Sequence, residues 1–120
     1  MGHFRFEDLQ IWVDAIEMSN KLFDLADTVE DKKLFRFAEQ LRGAVMSITN
    51  NIAEGSGSFY DKEFAQFLNI ARRSIFECAN VIIILYMREL ITASDKRKYL
   101  DELANLAGKI TNFRKTLHLR

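Results

Sequence analysis

Leu41 to Glu77 reads LRGAVMSITNNIAEGSGSFYDKEFAQFLNIARRSIFE, and this stretch decides the fold. Before Gly55-Ser56-Gly57, apolar residues recur as Leu41, Val45, Ile48 and Ile52; after it they recur as Phe64, Leu68, Ala71 and Ile75. Alternating steps of four and three put each set on one side of a helix, as in the seam of a bundle. The glycines between them predict a tight helical hairpin. Gly55 is expected to take the left-handed conformation that closes a helix, and Ser58 with Asp61 to cap the next one.

Outward from this hairpin the same pattern continues. The second helix is predicted from about Asp31 to Glu54, its seam beginning at Leu34 and Ala38, and the third from about Phe59 to Leu90, adding Cys78, Ile82 and Leu85. At 1.5 Å per residue the third would be about 45 Å long. A first helix is predicted from about Glu7 to Thr28, with Leu9, Trp12, Ile16, Phe23 and Ala26 on one side and Ser19 interrupting that line. Thr92 and Asp95 mark the start of a fourth, whose seam is Tyr99, Leu103, Leu106, Ile110, Phe113 and Leu117. The expected architecture is an all-α, up-down-up-down four-helix bundle forming a single domain over residues 1–120.

Composition narrows the class. With 48% hydrophobic residues, ten phenylalanines and no proline, the chain is too apolar for disorder and suits helices throughout. Cys78 is the only cysteine, so neither a disulfide framework nor a cysteine-rich metal site is expected, and its apolar surroundings predict a buried thiol. The opening residues show no apolar signal segment and Val81 to Met87 is too short to span a bilayer, so a cytoplasmic protein without a membrane partner is expected. The formal charge is zero but unevenly spread. From Glu7 to Asp27 six acids stand against one lysine; from Asp95 to Arg120 seven cations stand against three acids.

The hairpin carries more than one seam per helix. Phe67, Ile70, Ser74, Glu77, Val81 and Ile84 form a second line on helix three, and Phe37, Gln40, Ala44, Ser47, Asn51 and Glu54 a matching one on helix two. A turn near Ser56 to Ser58 would bring Gln40 level with Ser74 and Ser47 level with Phe67. These lines are either the flanks of a wide core or an association surface, since a lone bundle needs one apolar stripe per helix. Self-association is the favoured expectation. Glu77, between Ile70 and Ile84, needs a cation on such a surface; Arg42 is the expected partner and Arg73 the alternative.

Catalytic, cofactor and metal chemistry find no constellation. Neither His3 nor His118 follows a glutamate at the spacing of di-iron bundles, and Glu54 and Glu77 stand at opposite levels of the hairpin. Gly55-Ser56-Gly57-Ser58 lacks the lysine and strand of a phosphate loop. Candidate nucleic-acid contacts are Arg72, Arg73, Lys96, Arg97, Lys98, Arg114, Lys115 and Arg120. Against RNA or DNA as a partner stands the zero net charge, because such binding is driven by positive potential. The competing expectation is that the basic last helix lies against an acidic first helix, its own or a neighbour's.

Gln40-Leu41-Arg42, Ala44, Ser47-Ile48, Asn51-Ile52-Ala53-Glu54-Gly55, Phe64, Phe67-Leu68, Ala71, Ser74 and Glu77, with Phe6, Leu9 and Trp12 ahead of them, resemble the signature of the bacterial 23S rRNA intervening-sequence protein family. The resemblance spans essentially the whole chain; Gly43 and Arg73 depart from the pattern. It implies a left-handed bundle assembling as a cyclic homopentamer without enzymatic activity. Similar pentamers in diversity-generating retroelements assist a reverse transcriptase through a basic surface. A closed ring uses heterologous contacts, so acidic helix one facing basic helix four of the next subunit is a further expectation.

Overall fold

The structure, a computed structural model, describes residues 2–119. A short 3-10 turn at Arg5–Asp8 leads into four α-helices: α1 Gln10–Asp31, α2 Phe35–Ser56, α3 Asp61–Met87 and α4 Ala93–Arg114. No strand occurs among the described residues. Lys21 meets Glu102 and Lys109 meets Asp14, while Ser74 meets Ser47 and Arg72 meets Thr111. The two α1–α4 pairs run antiparallel, as do Ser47–Ser74 with Gly55–Phe64 between α2 and α3 and Arg72–Thr111 with Ala65–Arg114 between α3 and α4, so the helices alternate up and down around a square. The slab measures 46 × 29 × 19 Å, two helix layers thick.

The predicted seams of α2, α3 and α4 are the buried ones. Leu41, Val45, Ile48 and Ile52 face Phe64, Leu68, Ala71, Ile75, Cys78, Ile82 and Leu85, and Leu103, Leu106 and Ile110 close the core. Helix α1 departs from its expected line. Its buried side is Ile11, Ala15, Met18, Leu22, Leu25 and Val29, while Trp12, Ile16 and Phe23 are half-buried flanks. Ala26 is buried as expected, but the bulky residues drew the rest of the line one position off, because small Ala15 fills the centre beside Ile11 and Met18. Ser19 does not break the helix: buried, it donates to the Ala15 carbonyl at 2.6 Å. Trp12 instead packs against Phe6 of the 3-10 turn, with ring centroids 4.9 Å apart.

The helix ends are made differently from expectation. Gly55 is helical and no glycine has positive φ; the left-handed residues are Lys33 and Glu89. Each closes a helix by paired bonds: Leu34 N–H to the Val29 carbonyl with Lys33 N–H to Glu30, and Leu90 N–H to Leu85 with Glu89 N–H to Tyr86. Leu34 and Leu90 then turn inward onto the core, the apolar contact that usually accompanies this cap. Gly55 has another task. A Cβ there would lie 2.7 Å from Phe67 Cβ and 2.8 Å from Phe64 Cδ1, so glycine permits α3 to cross close against α2. Ser58 and Asp61 form no cap, since Tyr60 occupies the N-cap position of α3 and Asp61 Oδ2 accepts from the His118 N–H. Thr92 does cap α4, accepting the Asp95 N–H at 3.0 Å.

Candidate functional site

The second lines of α2 and α3 do lie side by side. Ser74 Oγ donates to Ser47 Oγ at 2.7 Å, and Asn51 Nδ2 donates to Ser47 Oγ at 3.0 Å and to the Ser47 carbonyl at 2.7 Å. Ser47 is therefore level with Ser74 and not with Phe67, a shift of one heptad from the expected register. The cause is the turn: its apex lies near Tyr60, beyond the glycines, because α2 continues through Ser56.

Burial divides these residues into two groups. Ala44, Gly55, Ser74 and Val81 are buried, and Ser47, Asn51, Phe67 and Ile84 are half-buried, so they form the flank of the core. Gln40, Glu54, Ile70 and Glu77 are exposed. The expected Arg42–Glu77 pair does not form. Arg42 turns the other way, its Nη2 2.7 Å from Asp27 and its Nη1 2.9 Å from both Glu30 and Glu39, tying α2 to α1. These acids raise the guanidinium pKa further, with Glu30 the largest cause. The Arg73 alternative is not made either, and Glu77 has no ion pair among the described residues.

Further round the bundle, α3 exposes Ile70, Phe76, Ile83 and Met87, the last at 73%. Two clefts run between α3 and α4 on this side. One, about 460 Å³, is lined by apolar residues including Phe76, Ala79, Leu100 and Ala104, with Arg97 and Asp101 at its rim. The other, about 420 Å³, holds Arg72, Arg114 and Lys115 with Asn69 and Thr111, and no carboxylate lines it. Arg72 belongs to both.

The candidate nucleic-acid contacts are thus only partly gathered. Arg72 Nε donates to Thr111 Oγ1 at 3.0 Å and its guanidinium stacks 4.9 Å from the Phe76 ring centroid. Arg114 Nε donates to the Ala65 carbonyl at 3.4 Å. Arg97 is spent on Asp101 at 3.3 Å, and Lys96 sits over the Tyr86 ring. Arg73, Lys98 and Lys115 are exposed; Arg120 lies outside the described residues.

Acidic α1 and basic α4 lie against each other within one chain, one ion pair joining a cation of α4 to an acid of α1 and the other the reverse. Lys109 Nζ lies 2.8 Å from Asp14 Oδ2 and Lys21 Nζ 3.0 Å from Glu102 Oε2. Bonds from Lys109 and then Gln10 hold the Asp14 carboxyl below its usual range. This contact takes Asp14 and Lys109 out of the charge that the next-subunit expectation relied on. Cys78 is buried, as its apolar surroundings predicted, and burial, reinforced by Glu77, pushes its thiol up to about 12. Among the described residues no three metal-binding side chains cluster and no helix is long and apolar enough to cross a membrane.

Sequence reasoning missed Phe76 and Gly108 as parts of one groove. Ala104, Ala107 and Gly108, small residues within one turn of α4, are the signal that carried it. A comparison with curated proteins finds no match. The family model described as 23S rRNA-intervening sequence protein matches residues 7–112.

Proposed function

Since the chain belongs to the 23S rRNA-intervening sequence protein family, we propose that it is a non-enzymatic, cytoplasmic assembly or adaptor protein built from a homo-oligomeric ring of single-domain subunits, five in number. The observation that carries this reading is the exposed α3 stripe of Phe76, Ile83 and Met87, at spacings of seven and four, with exposed Ile70 and Glu77, which has no ion pair among the described residues, on the other flank of the same helix. An apolar stripe of that length on a small bundle marks an association surface. Gly43 adds to it. Lying inside α2, it weakens the helix, yet a Cβ there would meet nothing within 4 Å, so its small size suits an approach from outside the chain. The ring size rests on the family resemblance. Light scattering at micromolar concentration is expected to give a discrete multimer of the 14.0 kDa chain, and a monomer would overturn the reading.

A second reading, contact with RNA or DNA, is favoured by one feature: the cleft that holds Arg72, Arg114 and Lys115 has no acidic lining. Binding of that kind weakens steeply as salt rises, with a slope set by the number of phosphates neutralised. Neutralising Arg72, Arg114 and Lys115 together should flatten that slope. Equal binding by this variant and the parent would remove the second reading.

A further inference from the structure

The two α3–α4 clefts meet at Arg72, and their chemistry is complementary in a way that suits one ligand. On one side Arg72, Arg114 and Lys115 converge with the Asn69 amide, and none of the three cations has a carboxylate within salt-bridge distance among the described residues. Two of them are already held in place: Arg72 by its bond to Thr111 and its stacking on Phe76, and Arg114 by the Ala65 carbonyl. Such preorientation lowers the ordering cost of binding an anion.

On the other side, Phe76 offers a ring that is 57% exposed, and Leu100, Ala104 and Gly108 form an apolar wall opposite. Gly108 is the telling residue. Glycine inside a helix is unfavourable, yet nothing lies within 4 Å of where its Cβ would be, so internal packing does not explain it. Its effect is to keep the apolar cleft open. Each cleft is of ligand-binding size.

We propose that this groove binds a nucleoside 5′-monophosphate, free or as the phosphorylated end of a strand. The phosphate lies among Arg72, Arg114 and Lys115, where arginine's planar fork and the lysine ammonium match a dianion. The base lies in the apolar cleft beside Phe76, away from Asp101, which Arg97 neutralises at the far end. Aromatic and guanidinium faces favour any base, so little base preference is expected. The inference narrows the second reading to a discrete site and rests on the same cations; Phe76 is shared with the exposed apolar line of α3, so the test also reads the oligomeric mass.

Calorimetric titration of the whole chain with AMP, adenosine and inorganic phosphate tests it. AMP should bind at least about tenfold tighter than phosphate, and adenosine weaker still, because each occupies one compartment only. Arg72→Gln should weaken AMP by about tenfold or more, whereas Arg73→Gln, a neighbouring cation outside both clefts, should leave it unchanged. Gly108→Leu, which fills the apolar cleft, should abolish the advantage of AMP over phosphate; Ala104→Leu serves the same purpose if the first variant melts early. A 5′-phosphorylated trinucleotide that displaces AMP, where the 5′-hydroxyl form does not, identifies a strand end as the source; failure of both to displace it identifies the free nucleotide. AMP binding no tighter than phosphate, or equal loss in the Arg72 and Arg73 variants, overturns the proposal. So does a change of oligomeric mass in Gly108→Leu without AMP binding by the parent, which would assign the groove to a second copy. Salt-dependent binding of long RNA without AMP binding would sink the site and leave the second reading standing.

Discussion

Gly55 shows how much one residue can decide. The sequence marks it as a helix terminator, but its actual constraint is the absence of a Cβ between α2 and the rings of Phe64 and Phe67. Because Phe64 is buried and the clashing Phe67 atom is its own Cβ, neither neighbour can swing clear. Gly55→Ala should therefore destabilise the protein by about 1–3 kcal/mol in chemical denaturation, despite alanine's better helix propensity. Cys78 was legible from its apolar flanks. With no exposed surface and a thiol pushed up to about 12, it should resist thiol reagents at neutral pH until the protein unfolds. Labelling at the rate of an exposed thiol would contradict that. Glu77 was not legible: its place between Ile70 and Ile84 predicted a cation partner, yet it is exposed and has no ion pair among the described residues, because whether that line is buried depends on helix rotation and register that local pattern does not contain.

At the scale of elements, the seams of α2, α3 and α4 were readable because heptad spacing is a property of each helix alone. The seam of α1 was displaced, since hydrophobic bulk and burial part company where alanines pack in the centre. That basic α4 lies against acidic α1 was expected, but whether within one chain or between neighbours, and through which residues, was not readable. The Asp14–Lys109 bond joins them across the open side of the square, with side-chain exposures of 20% and 45%. Asp14 has a lowered folded-state pKa, so its contribution is present above the unfolded carboxyl value near about 3.9 and is lost as pH falls through the lower folded value. Lys109→Met should remove that acid limb, making the urea midpoint of the variant less sensitive to pH below about 4 than that of the parent. An unchanged pH profile would show that the pair contributes nothing.

For the whole molecule, the exposed α3 stripe and the ion-paired α1–α4 side give the two broad faces opposite characters. If the ring is joined through the apolar stripe, it should survive about 1 M salt, where the screening length falls to about 3 Å, while Ile83→Lys with Met87→Lys should dissociate it in light scattering without lowering helicity. Dissociation by salt alone would return the interface to charge pairing between acidic and basic helices. The sequence by itself determined four helices, the buried seams of α2, α3 and α4 and the family, because periodicity and apolar spacing act within each segment. Tertiary structure alone decided the α2–α3 register, the partners of Arg42, the task of Gly55 and the groove beside Phe76. The reason is physical: axial shift and rotation between helices come from close contacts across elements. Here α3 pressing on Gly55, with the turn apex near Tyr60, moves every opposing residue by about two helical turns.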